Sequence, residues 1–82
     1  MHQSIPSETA HHVLWHYGQG GYEPGNFTKN IMRSIDSADM VNTELLRSIY
    51  PALVAAMDLA GKDPAGIAKL QKIARGRRGV TA

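Results

Sequence analysis

Pro51-Ala52-Leu53-Val54-Ala55-Ala56-Met57-Asp58-Leu59-Ala60-Gly61 is the stretch that decides the fold. Pro51 has no N–H to lose at the first position of a helix, and its fixed φ suits that position. Alanine, leucine and methionine then favour helix over strand, and Gly61 offers a stop. Asp58 is the only charge. A helix that is apolar all round has no solvent face, so it belongs in the middle of a bundle or at an interface. The stretch therefore predicts a central helix, and it is the segment through which a homodimer would be expected to form.

Working outward, the flanking segments read as shorter helices that surround it. On the N-terminal side a helix is expected from Thr43 to Tyr50, with Glu44 in its first turn and Leu45, Leu46 and Ile49 turned inward. Pro51 biases Tyr50 away from the α region, so the chain should restart there. Before it, Asp39 to Asn42 is a short connection. A helix over 26–37 carries the stripe Phe27, Ile31, Ile35 and Ala38. The first helix is expected over 7–17, with Ser7 as its N-cap and Ala10, Val13, Leu14 and Tyr17 at i, i+3, i+4 and i+7. Gly18 is suited to end it in a left-handed conformation. On the C-terminal side, Asp63-Pro64 is a cap followed by proline at the first helical position. That helix should run to about Arg75, with Ile67, Leu70, Ile73 and Ala74 inward. The expected architecture is all-α: a compact bundle of four to five short helices, a Gly-rich loop after the first, and a basic C-terminal tail. Residues 1–75 form the domain and residues 76–82 a flexible tail.

Size and composition fit that picture. The chain has 82 residues, 43% of them hydrophobic, and no cysteine. A chain this short buries only about 60% of its unfolded surface, so partners or self-association often add stability. Disulfides and thiolate metal sites are excluded. Ile49 to Met57, the longest nearly uncharged apolar run, falls well short of the ~20 residues a membrane helix needs. The N-terminus lacks a basic start followed by an apolar run, so a soluble cytoplasmic protein is expected.

Charge is divided unevenly. Residues 62–82 carry six Lys or Arg against the single acid Asp63, a balance of +5. Residues 1–61 carry three against six, a balance of −3. The asymmetry points to a polyanion or an acidic protein surface as a partner. Lys69, Lys72, Arg75, Arg77 and Arg78 are the candidate nucleic-acid contacts. Two helices joined at Gly61-Lys62-Asp63 superficially suggest a helix-turn-helix, in which the start of the second helix reads bases. Here that start is Pro64-Ala65-Gly66-Ile67-Ala68, without a side chain that reaches a base edge. Charges placed late in the helix suit phosphate contact, an acidic protein surface, or simple compensation of the helix dipole.

Other constellations are weaker. Gly18-Gln19-Gly20-Gly21-Tyr22-Glu23-Pro24-Gly25 matches no phosphate-cradling motif, since neither GxGxxG nor GxxxxGK[ST] fits and no strand precedes it. Glu8, His12 and His16 stand at i, i+4 and i+8, a face that could hold a metal ion. The commoner origin of such spacing is a solvated polar face. Trp15 lies off the apolar stripe of its helix, on the side of His11 and Glu8. It is either an exposed protein contact, with His11 beside it, or an aromatic covered by the neighbouring loop. Asp36 and Asp39 read as a helix end and a cap rather than an acid–base pair. No cofactor is expected, and no nucleophile–base arrangement is present, so a non-enzymatic role is expected.

Tyr22-Glu23-Pro24-Gly25-Asn26-Phe27-Thr28, followed by Ile31, Ile35, Ala38-Asp39, Asn42, Leu46 and Tyr50-Pro51, resembles a group of small proteins encoded by actinobacterial phages and prophages. Val13-Leu14-Trp15-His16-Tyr17-Gly18 extends the resemblance, which covers roughly residues 11–60. It implies a setting, the cytoplasm of an infected or lysogenic bacterium, and brings no catalytic residue with it. The function expected is contact with a bacterial host protein or another phage protein. Non-sequence-specific nucleic-acid binding through the basic end is the alternative.

Overall fold

Five helices are present in the computed structural model, which describes residues 4–81, with side chains described for residues 4–76. They are α1 (Ser7–His16), α2 (Asn26–Ser37), α3 (Met40–Ile49), α4 (Pro51–Lys62) and α5 (Gly66–Thr81). Pro51 opens α4 as expected, and α4 touches α1, α2, α3 and α5. Val54, Ala56 and Met57 are buried, and no residue from Pro51 to Ala60 is exposed. The helix without a polar face is thus the centre of the bundle. Its apolar surface is taken up within the chain, so the homodimer expected through this helix would find no exposed apolar face there.

The core joins α1, α2, α4 and α5. Val13, Met32, Val54 and Leu70 are its largest fully buried side chains. Each contributes about 1.5–3 kcal/mol of burial. The expected faces of α1 and α5 are correct: Ala10, Val13 and Leu14 are buried, as are Leu70 and Ala74, with Tyr17, Ile67 and Ile73 packed beside them.

Two faces differ from the sequence expectation. On α2 the buried arc runs through Met32 and Ile35, with Ile31 half-buried, while Phe27 is 66% exposed. The true centre lies one position round the helix from the predicted line. On α3 nothing is fully buried. Leu46 packs on the core, but Leu45 and Ile49 point outward. The helix is apolar on two sides, and only one can face α4. Arg47 selects it: its guanidinium donates to Asp58 Oδ2 on α4 at 3.1 Å and to Glu44 Oε2 at 3.2 Å. With Arg47 held against α4, Leu46 turns to the core and Leu45 turns away.

Helix ends are set by local chemistry. Ser7 is the first residue of α1 rather than its cap, because Pro6 takes the cap position with extended backbone. The Ser7 hydroxyl instead donates to the Ala74 carbonyl at 2.7 Å, tying α1 to α5. After α1, Gly18 N–H donates to Trp15 O and Gln19 N–H to Leu14 O, the paired bonds of a Schellman end. α3 starts earlier than expected, since Asp39 caps it by accepting from Asn42 N–H at 2.8 Å. α4 continues through Gly61, and the extended backbone of Asp63 ends it. Gly66 opens α5 against α4, where a Cβ would lie 1.6 Å from the Leu59 carbonyl oxygen. α5 continues to Thr81, beyond the predicted end near Arg75. The side chains of Arg77 and Arg78, in the segment expected as a tail, lie outside the described residues.

Candidate interaction surface

The exposed apolar side chains of this molecule concentrate on α3. Val41, Leu45 and Ile49 follow one another at i, i+4 and i+8, so they form a single ridge along the helix. They are 70%, 58% and 65% exposed. Met40 is also exposed but lies round the helix, on the side of Glu44 and Arg47. Near the C-terminal end of α3, Phe27 of α2 is exposed as well, its ring 6.3 Å from that of Tyr50, the residue after α3. Beside the ridge, a shallow groove between α2 and α3 is floored by Leu46 and edged by Ser34, Ser37 and Asn42. Isolated exposed hydrophobics are ordinary, whereas three in a row along one helix face are not. The nearest charges on α3, Glu44 and Arg47, neutralise one another.

The side chains singled out in the sequence are distributed differently. Trp15 is 37% exposed, and Lys29 Nζ sits 5.6 Å from its ring centroid. Lys29 in turn pairs with Glu23 of the loop. His11, expected beside Trp15 as a contact residue, is not presented to solvent with it. Its ring stacks on Tyr22 at 4.5 Å and 21°, and Tyr22 N–H donates to the His11 carbonyl. Gly21 permits that approach: its φ is +71°, and a Cβ would lie 2.0 Å from the His11 oxygen. The loop thus covers His11 and leaves Trp15 partly exposed.

Glu8, His12 and His16 do not converge. His12 Nε2 is 3.9 Å from Glu8 and its ring meets the edge of Tyr22. His16 turns the other way, with Nε2 2.7 Å from Asp36 Oδ2. A packed neighbour at one end of the row and a carboxylate at the other separate side chains that share a face by spacing. Among the described residues no group of three or more His, Asp or Glu is arranged to hold a metal ion.

Of the basic residues of α5, Lys69 donates to Asp63 Oδ2 at 2.7 Å. That bond, followed by one from Ala65 N–H, holds the Asp63 carboxyl below the usual aspartate range. Lys72 and Arg75 are exposed, and among the described residues no carboxylate lies within ion-pair distance of either. Gly66, the first residue of α5, is buried against α4, while Ala65 and Ala68 beside it are exposed and offer no side chain that reaches a base edge.

A second cleft, of about 620 Å³, opens between Ile5, Ala55, Leu59 and Pro64, with Arg47, Asp58 and Lys62 at its rim. Its charged groups already pair with one another. Among the described residues no helix is long and apolar enough to cross a membrane. No family model, curated protein or solved structure matches the chain. The α3 ridge is not legible in the sequence reading, which turns Leu45 and Ile49 inward and leaves Val41 in the connection before the helix.

Proposed function

We propose that this protein works by protein–protein contact rather than catalysis, and that the α3 ridge with Phe27 is its contact surface. One observation carries the reading: Val41, Leu45 and Ile49 form an exposed apolar ridge on a helix that contributes no fully buried side chain, and Phe27 stands exposed near its C-terminal end. Leaving such a line in water costs free energy that a partner recovers. Trp15 beside Lys29 adds an exposed aromatic, a type enriched at the centres of interfaces. The resemblance to actinobacterial phage proteins supplies the proposed setting, the cytoplasm of a bacterial host, with a host or phage protein as partner.

A pull-down from host lysate tests it. The wild type, a Leu45→Asp/Ile49→Asp variant and Trp15→Ala would be compared. Loss of specific partners with the double variant supports the α3 surface. Equal recovery of every specific partner by that variant and the wild type overturns it.

Phosphate contact by α5 is the second reading. It is favoured by the exposure of Lys72 and Arg75, and Arg77 and Arg78 would add to it. Lys69 is already engaged by Asp63, which lowers the charge on offer. Such binding would weaken with salt at a slope of roughly 0.9 per phosphate neutralised on duplex DNA. No shift of duplex or single-stranded DNA at low salt would remove it.

A further inference from the structure

Ala55, Asp58, Leu59 and Lys62 stand at i, i+3, i+4 and i+7 of α4, so they share one stripe of that helix. The stripe forms a wall of the cleft of about 620 Å³, with Ile5 and Arg47 among the residues around it. That volume falls within the ~300–1,000 Å³ of small-molecule sites, which pair an apolar lining with a few placed polar groups. The apolar part here is Ala55, Leu59 and Ile5, each half-buried and so still partly open to water. We propose that this cleft binds a small amphipathic acid, a free molecule with an apolar chain and one carboxylate. The chain lies on Ala55, Leu59 and Ile5, and the carboxylate sits between Arg47 and Lys62. The site is separate from the α3 ridge and does not rest on the contact reading above.

The class of ligand follows from which groups have hydrogen-bonding capacity left. Asp58 serves two cations: its Oδ2 accepts from Arg47 Nη2 at 3.1 Å, and its Oδ1 lies 3.5 Å from Lys62 Nζ. Asp63, also at the cleft, accepts from Ala65 N–H at Oδ1 and from Lys69 at Oδ2. Both acids are therefore committed, which argues against a basic ligand. The two cations are less fully used. Arg47 directs Nε to Glu44 and Nη2 to Asp58, and among the described residues its Nη1 meets no acceptor within hydrogen-bond distance. Lys62 carries an ammonium with three donors, makes only the long contact to Asp58, and is 76% exposed along its side chain. A carboxylate accepts from both, and hydrogen bonds between ionised partners are the stronger kind. Glu44 does not line the cleft, and at 67% exposure water screens its charge. An apolar chain on Leu59 and Ile5 then takes the remaining open surface out of water.

Decanoate, kept below its micelle concentration, is the probe, followed by NMR shifts of the full chain. Decanol and decylamine are the uncharged and basic controls. Saturable shifts should centre on Ala55, Leu59 and Lys62, with decanoate bound about tenfold more tightly than either control. Arg47 is left unchanged, because its bond to Asp58 orients α3. Lys62→Gln should weaken decanoate by about threefold, as befits an exposed charge, and leave decanol unaffected. Ala55→Trp should fill the cleft and abolish binding of both, with circular dichroism showing that it stays helical. If that variant does not fold, the Lys62→Gln result stands alone. Leu45→Asp should bind decanoate as the wild type does. No saturable shift, equal affinity for the three probes, indifference to Lys62→Gln, or shifts centred on Val41, Leu45 and Ile49 would each overturn the proposal. None of these results bears on the lysate pull-down, so the contact reading stands or falls separately.

Discussion

His16 Nε2 lies 2.7 Å from Asp36 Oδ2, joining the last turn of α1 to the last turn of α2. The sequence placed these residues in two separate candidate sites, a histidine face and a carboxylate pair. The fold makes them one exposed-side link between helices. Tyr17 joins it, its hydroxyl 3.5 Å from Asp36 Oδ1. Partial burial, then the nearby Asp36 carboxylate, raises the Tyr17 hydroxyl above its ordinary range. Asp36 is half open to water, so the histidine link should be weak. A double-mutant cycle with His16→Ala and Asp36→Ala should give a coupling energy below about 1 kcal/mol by urea denaturation. A larger value would mean that the pair organises the α1–α2 junction.

Two glycines in α5 should respond oppositely to alanine. At Gly66 the new methyl would collide with the Leu59 carbonyl, so α5 would have to shift from α4. A loss of about 1–3 kcal/mol is expected, the usual range for overpacking. At Gly76 nothing lies within 4 Å of the added Cβ. Gly76→Ala should stabilise by roughly 0.5–1 kcal/mol, the difference in helix preference. Thermal or urea unfolding of the two variants checks both signs.

The register of α2 is tested by one buried and one exposed residue. Met32→Ala removes a fully buried side chain and should cost about 2–5 kcal/mol. Phe27→Ala should cost less than about 1 kcal/mol, since the residue is 66% exposed. The order predicted from the sequence stripe, with Phe27 the larger loss, would contradict this packing.

Acid stability should report Asp63. Its folded carboxyl titrates below the ordinary aspartate value, chiefly through Lys69 and then through Ala65 N–H. The unfolded chain therefore binds the proton more readily. The stabilisation is complete above the unfolded value of about 3.9 and is lost as pH falls through the lower folded value. Asp63→Asn should flatten the fall in melting temperature below about pH 4 and leave its shape at higher pH unchanged. An unaltered acid limb would show that the Lys69 contact is not formed in solution.

Much of the fold could be read from single residues. Pro51 and Gly18 are local signals, because a fixed φ or a positive φ acts within one turn. Asp63-Pro64 marks the turn before α5 rather than its first residues, since the helix begins at Gly66. The all-α class and the central place of α4 followed from a helix with no polar face. Ser7 was legible as a helix start but not as a bridge to Ala74, which lies 67 residues away.

What the sequence by itself determined is where helices run and which is innermost, since spacing and composition act along the chain. Only the tertiary structure decided which side of α3 meets the core. Leu45, Leu46 and Ile49 are equally apolar, and periodicity cannot rank them. The Arg47–Asp58 bond between α3 and α4 turns Leu46 inward and leaves Val41, Leu45 and Ile49 in water. The same long-range packing drew His11 under Tyr22 and His16 to Asp36, dispersing a constellation that existed only as spacing.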